Sequence, residues 1–347
     1  MIRCGIIGCG VISDTHLAGY RQIPDAEVVG VCDLILPRAE KLAESCPGAR
    51  CFQDYRELLD TVDAVSVCTD HASHAQIVCD AINRGKHVIC EKALGRVPED
   101  LDRMLAAAAA HKEVVASGIF QHRFNPGNIA LRKLVREGRF GKLLTVNLNF
   151  ACLRTDEYYR KDAWRGTMAG EGGGVLINQA IHFLDQLRFL FGDIVRVAAL
   201  SGNFTHGDLI EVEDTAAAVG ETAEGVPVSI CATNSSSADW RSVITVTGSR
   251  ARLELVDEKI SFLSAADQEE ENAIRAALES AGDGDAIYGK VYYGTGHTVQ
   301  LADFIDAIKF HRAPGVTLAD AAGSAALVHA IYAAAASGKW QAVRRFC

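Results

Sequence analysis

Apolar and polar positions alternate in blocks along the first third of the chain. A short apolar run at 2–7 leads into a glycine turn and a helical pattern reaching Arg21. A second apolar run, Val28 to Cys32, ends in Asp33. Helical patterns at 38–45 and 54–60 precede a buried-strand pattern at 64–68. Residues 72–84 read as a helix stopped by Gly85, a C-cap signal. Val88 to Cys90 is a strand, 98–111 a helix and Val114 to Ser117 a strand. Such alternation predicts a parallel, doubly wound sheet of the Rossmann type. Ligands of these sheets bind at the carboxyl ends of the strands.

Past residue 120 the period changes. A helix at 126–137 leads to a strand from Lys142 to Phe150, and a helix spans 174–191. Strand patterns follow at 194–203, 214–221, 226–236, 241–248 and 252–256. Strand after strand predicts an α+β domain with a large, open, mainly antiparallel sheet. Its open face is expected to meet another subunit, giving a homo-oligomer, a dimer or a tetramer. Residues 266–286 are acidic and glycine-containing and read as a solvated helix and loop. Helix 298–310 carries Leu301, Ile305 and Ile308 on one face. The alanine-rich helix 319–337 is expected to pack back on the first domain. The boundaries are therefore 1–121 for a dinucleotide-binding domain and 122–347 for a substrate and oligomerisation domain.

A chain of 347 residues suits two domains, and 49% hydrophobic with 23% charged residues suits well-filled cores. The net charge of −9, with no basic run, argues against wrapping nucleic acid or coating a membrane. Met1 to Gly8 is too short and too glycine-broken for a signal peptide. No stretch approaches the roughly 18 apolar residues of a spanning helix, so a cytoplasmic location is expected. Eleven cysteines include no Cys-x-x-Cys pair. Cys4, Cys32, Cys68, Cys79 and Cys90 sit in apolar runs, where a free thiol acts as a small hydrophobe; no metal site is expected.

The first strand, turn and helix contain Gly8-Cys9-Gly10-Val11-Ile12-Ser13. The first glycine permits the tight turn and the second lets backbone approach a pyrophosphate. Ser13 is small enough for helix–strand packing. The helix N-terminus adds free N–H groups and a positive dipole end. Asp33 falls where a carboxylate would accept hydrogen bonds from ribose hydroxyls and repel a 2′-phosphate. NAD is thus expected over NADP, with Arg38 keeping the latter as the lesser alternative. Thr69, His71, Glu91 and Lys92 lie at strand ends, on the cofactor side.

A second constellation opens with Gly172-Gly173-Gly174 and continues as a helix bearing Asn178 and His182. Residues four apart share a helix face. Oxidising a secondary alcohol needs a hydride acceptor and a base, and an imidazole suits the proton step at neutral pH. His182 is read as general base, Lys92 as holder of the alcohol oxygen and rival base, and Asn178 as an orienting group. Arg154, Tyr158, Trp164 and Arg165 gather cations and aromatics that suit a sugar and an anionic group. The same loop also reads as a solvated lid. His297 opens a helix after nearby glycines and is expected to contact substrate. These groups are expected to converge beside C4 of a nicotinamide.

These residues resemble the Gfo/Idh/MocA oxidoreductase family over nearly the whole chain. The resemblance runs through Gly8/Gly10, Asp33, Thr69 to His74, Gly85-Lys86-His87-Val88, Glu91-Lys92, Gln121-His122-Arg123-Phe124, Gly172 to His182 and Gly294-Thr295-Gly296-His297. It implies a Rossmann domain plus an open-sheet domain that often mediates oligomers. It implies nicotinamide redox chemistry on sugars, inositols or nucleotide sugars, and it adds His74 and Gln121 to the cofactor side. Trp164-Arg165-Gly166-Thr167 with Asn178-Gln179 resembles the branch that acts at C3 of N-acetylated nucleotide-sugar uronates. Two departures stand out. Where the family has Thr-Pro-Asn, this chain has Thr69-Asp70-His71. Where it has proline after the lysine, often in a cis peptide, this chain has Ala93. A cis bond before a residue other than proline costs roughly 2.5–4 kcal/mol, so a trans bond is expected. Two other functions fit the same residues: a glycoside-processing enzyme that oxidises C3 transiently, and a non-catalytic NAD-binding sensor.

Overall fold

The computed structural model describes residues 1–282 and 296–346. The chain forms two compact units, Met1–Phe124 with Asp285–Ala322, and Asn125–Gly284 with Gly323–Cys347.

The first unit is built on six strands: β1 (Ile2–Ile7), β2 (Ala26–Cys32), β3 (Arg50–Phe52), β4 (Ala64–Val67), β5 (His87–Cys90) and β6 (Ala116–Gly118). They stand in the order β3-β2-β1-β4-β5-β6, and every pair is parallel. The connecting helices are α1 (Ser13–Tyr20), α2 (Leu36–Glu44), α3 (Tyr55–Leu59), α4 (His71–Asn83) and α5 (Pro98–Ala110). The strand order reverses between β1 and β4, which is the crevice where doubly wound sheets hold ligands. Local signals set the helix ends: the Asp54 and Asp70 side chains cap α3 and α4, and Pro98 opens α5.

The second unit contains α6 (Pro126–Arg136), β7 (Leu143–Leu153), α7 (Asp156–Arg160) and α8 (Ile181–Phe191), the last entered through a π-turn at Leu176–Ala180. Strands β8 (Ile194–Gly202), β9 (Thr215–Thr222), β10 (Pro227–Thr233), β11 (Ser235–Gly248), β12 (Ala251–Val256) and β13 (Lys259–Ala265) follow, then α9 (Gln268–Glu279). With β14 (Gln341–Ala342) they form one sheet, β13-β12-β11-β7-β10-β9-β8-β14. It is antiparallel except for the parallel pair β7–β10. Alternation along β7 buries Val146, Leu148, Phe150 and Cys152, and the Phe150 ring meets Phe183 of α8 at 5.1 Å. Leu144 near the start of β7 and Val219 on β9 stay exposed.

Three expectations need correction. Helix α10 (Gly296–Lys309) belongs to the first unit, not the second. Its apolar face, Leu301, Phe304, Ile305 and Ile308, packs with Tyr20, Ile23 and Ile89. Each large side chain so buried stabilises the unit by about 1.5–3 kcal/mol. The face was legible; the core it would fill was not. Helix α11 (Leu318–Ser337) belongs mostly to the second unit, from Gly323 onward. There the Ser324 hydroxyl donates to Asp185 at 2.6 Å and accepts from Arg188 at 2.5 Å. Finally, α11 is long and apolar enough, by length and composition, to cross a bilayer, because alanine dominates its 20 residues. Two thirds of its most apolar window is buried within the fold, as in a core helix. The short elements β3, β13, β14 and α7 were not read from the sequence. The acidic stretch is α9 with Asp267 as its cap; its end, 283–286, lies outside the described residues.

Candidate active site

The glycine turn between β1 and α1 has two different glycines. Gly8 has φ +92°, and a Cβ there would sit 2.7 Å from the Cys68 backbone. Gly10 faces open space among the described residues, none of which has an atom within 4 Å of where its Cβ would be. The first glycine closes the fold and the second leaves room beside the loop, as a dinucleotide phosphate requires. Ser13 is buried, and its hydroxyl donates to the Gly10 carbonyl at 2.5 Å. Ile12 precedes α1 as its N-cap residue, and Val11 is exposed.

Asp33 stands just past β2. Its Oδ2 accepts from the Cys9 amide at 2.9 Å and its Oδ1 from the Ile35 amide at 2.8 Å. The carboxylate therefore ties the glycine loop to the end of β2 and keeps further lone pairs for a ligand. Arg38 is exposed on α2. The Cys9 thiol is half-buried; burial, with Asp33 nearby, pushes it up to about 12. That makes it a poor nucleophile.

Past β5, Glu91 is buried and Lys92 half-buried. The Lys92–Ala93 peptide is cis, which overturns the trans expectation. Hydrogen bonds hold both sides of it: the Lys92 amide donates to Glu91 Oε2 at 3.1 Å, and the Ala93 carbonyl accepts from His74 Nδ1 at 2.7 Å. The other His74 nitrogen lies 3.2 Å from the Thr69 carbonyl. His74 is thus a buried bridge between the β4 and β5 ends, with its ring 5.8 Å from His71. Gln121 is also buried, in a short 3₁₀ turn after β6.

Behind Glu91 lies a network that the sequence did not suggest. His16 Nε2 sits 3.1 Å from Glu91 Oε1, and its Nδ1 lies 2.9 Å from the Ser66 hydroxyl. Ser66 is also bonded to the Tyr20 hydroxyl at 2.8 Å. His297 Nε2 approaches the same Glu91 oxygen at 3.8 Å. Burial alone would raise the Glu91 carboxyl, but the two imidazoles hold it well below its usual range. Burial pushes His297 down, against the pull of Glu91. His297, expected at the substrate, is therefore enclosed beside Glu91. Its neighbours Gly294 and Thr295 lie outside the described residues.

Glu91→Ala is expected to lower stability by about 2–5 kcal/mol, measured by urea unfolding, because buried imidazoles would lose their anion. A carboxyl held below its ordinary value adds stability above its unfolded pKa. That contribution disappears as pH falls through the folded value, so the wild type should lose the difference on the acid side of the unfolded carboxyl pKa.

In the second unit, Asn178 lies within the π-turn and His182 in the first turn of α8. π-turns widen a helix locally and recur at functional sites. The Asn178 amide donates to Glu171 Oε1 and, at 3.3 Å, to the Tyr158 hydroxyl. Arg165 donates to the same Tyr158 oxygen and, at 2.8 Å, to Asp162. Two guanidiniums lie over the Tyr158 ring, Arg165 at 4.3 Å and Arg154 at 5.1 Å, and Arg165 also covers Trp164 at 4.6 Å. Burial raises the Tyr158 phenol above its usual value, while Arg165 pulls it down. This is an interlinked cluster of cations, phenol and amide. Glu171 and its acceptance from the Gly166 amide at 2.7 Å were missed; an acid just before the triple glycine was the available clue.

Fold and glycine loop together define a dinucleotide-binding protein with a separate α+β unit. Residues 2–119 match the profile described as oxidoreductase family, NAD-binding Rossmann fold, and residues 129–254 match the GFO/IDH/MocA C-terminal domain. The chain belongs to the Gfo/Idh/MocA oxidoreductase family. Among solved structures it is similar to the WlbA dehydrogenase from Bordetella pertussis in complex with NADH and UDP-GlcNAcA. That likeness has 27% identity and a TM-score of 0.88, covering 99% of this chain and 98% of that one. Among curated relatives it is 32% identical to D-glucoside 3-dehydrogenase of Escherichia coli, over 55% of this chain and 54% of that protein. It is 27% identical to myo-inositol 2-dehydrogenase of Thermotoga maritima, over 58% of each. The alignments thus span between about half and three fifths of these curated relatives.

Proposed function

We propose that this protein is an NAD-dependent dehydrogenase of a secondary alcohol on a sugar, a polyol or, most specifically, a nucleotide sugar bearing a uronate, oxidised at C3. The observation that carries the reading is the cluster of Tyr158, Arg165, Trp164 and Asn178. It offers an aromatic surface and a guanidinium suited to a sugar with a carboxylate or pyrophosphate. The likeness to a dehydrogenase that binds NADH and UDP-GlcNAcA supports the same reading.

Gly8, Cys9, Gly10 and Ile12 would hold the pyrophosphate with backbone, and Asp33 the ribose. NAD, when bound, supplies the hydride acceptor. Lys92 would donate a hydrogen bond to the substrate hydroxyl and stabilise the charge that develops on its oxygen. His182 would take the hydroxyl proton as the C–H bond delivers its electron pair, leaving a carbonyl, a proton on imidazole and reduced cofactor. Asn178, fixed by Glu171 and Tyr158, would orient the substrate. The exposed face of the β7–β13 sheet would serve assembly into a homo-oligomer, in the cytoplasm.

The test is turnover of NAD by the purified protein with UDP-GlcNAcA, a neutral UDP-sugar, myo-inositol and a simple glucoside. The expected result is NADH formation that is fastest with the uronate and falls at least about tenfold in kcat/KM with the neutral analogue. NADH formation with inositol alone would contradict the nucleotide-sugar assignment, and no turnover with any of the four would contradict the dehydrogenase reading of this site.

A further inference from the structure

The helix that carries Asn178 and His182 begins in a way the triple glycine does not by itself explain. Three consecutive backbone amides at its start are satisfied by one residue. Glu213, just before β9, accepts the Gly174 amide on Oε2 at 2.7 Å and the Leu176 amide on Oε1 at 2.9 Å. Its backbone carbonyl accepts the Val175 amide at 3.1 Å. The Tyr332 hydroxyl of α11 donates to Oε1 at 2.9 Å. Glu213 is buried and Tyr332 lies within its own unit, against Gly173 and Gly174. The glycines are explained by this approach: a Cβ on Gly174 would lie 1.7 Å from the Glu213 carbonyl oxygen, and one on Gly173 would lie 2.1 Å from the Tyr332 hydroxyl.

The first amides of a helix have no partner within it, and the dipole there favours an anion. An acceptor usually comes from a residue just before the helix. Here it comes from a position 37 to 39 residues later in the chain. The start of this helix, with its π-turn, is therefore set by a distant carboxylate and not by local sequence.

We propose that Glu213, held by Tyr332, is a positioning residue that fixes the first turns of the Asn178–His182 helix and makes the placement of those two side chains depend on pH. The proposal rests on the reading of Asn178 and His182 as site residues. The chemistry is simple. As a carboxylate, Glu213 accepts from two amides and from the phenol. Once protonated, one oxygen becomes a donor, and an amide at the helix start loses its acceptor. Burial, against the amides and the phenol, raises this carboxyl to about 7, so the change falls in the working range. The titratable side chain bonded to it is Tyr332, whose phenol stays protonated because burial, together with Glu213, raises it further. The adjacent Asp214 is committed elsewhere, accepting from the Phe204 and Thr205 amides at 2.9 and 2.8 Å. Glu211 accepts from the Met168 amide at the surface.

The test needs no substrate, so it is independent of the proposed reaction. Hydrogen–deuterium exchange of the full-length protein is followed at the Gly174 and Leu176 amides as pH is varied, and each rate is corrected for intrinsic exchange. Protection is expected to fall about tenfold from about pH 8 to about pH 6, a change of one hydrogen bond in occupancy. Tyr332→Phe removes a donor to the carboxylate without adding volume. Its transition should move to higher pH, because the ionised form has lost a hydrogen bond. Glu213→Gln should abolish the transition. A structural carboxylate that stays in one state would give protection independent of pH in the wild type, or a Tyr332→Phe curve superimposable on it; either result overturns the proposal, including when Glu213→Gln does not fold.

Discussion

Lys92→Ala is expected to lower turnover by about 10²–10⁴-fold while NADH affinity changes less than about threefold. The residue follows β5 at the carboxyl end of the parallel sheet, where doubly wound folds present ligands. Its backbone is held on both sides, by Glu91 and by His74 through Ala93. Removing the side chain therefore leaves these backbone contacts in place while it takes away the ammonium. Steady-state kinetics with the best substrate and NADH binding by fluorescence separate the two effects. Lys92→Arg is not expected to rescue, because a planar fork does not replace a point charge at an alkoxide. Wild-type turnover in Lys92→Ala would remove the residue from the reaction.

Gly174→Ala is expected to cost more than about 4 kcal/mol and to leave little folded protein. The added methyl would need the space of the Glu213 carbonyl oxygen, 1.7 Å away, which is backbone and cannot rotate aside. Gly10→Ala is the informative contrast. Among the described residues no atom lies within 4 Å of its Cβ, so the variant should fold as the wild type does and bind NADH at least about tenfold more weakly. Urea unfolding and NADH titration distinguish two kinds of glycine that look alike in sequence. A folded, stable Gly174→Ala would show that the helix start can shift away from Glu213.

What was legible in the sequence was local. Gly8, Gly10, Ser13 and Asp33 sit on one strand–turn–helix–strand unit, so spacing alone places them. Lys92, just past β5, followed from the strand end in the same way, whereas Asn178 falls in the π-turn, which a regular helix period does not describe. The rest depended on distant partners. His16 meets Glu91 across 75 positions, and nothing in the α1 pattern marks it as a carboxylate partner. Glu213 was hidden for the same reason. The apolar face of α10 was visible, but periodicity says only that a face is buried, not in which unit. Strand β3 has three residues, too few for an alternation to register. The parallel pairing of β10 with β7 follows from tertiary packing that no single segment carries.

The proposal that Lys92 and His182 act together on one hydroxyl is tested most directly by a crystal structure with NADH and UDP-GlcNAcA bound. The expected result places the Lys92 Nζ and a His182 ring nitrogen each about 2.6–3.2 Å from the same sugar oxygen, whose carbon faces C4 of the nicotinamide. A bound sugar whose oxygens touch neither group would contradict it.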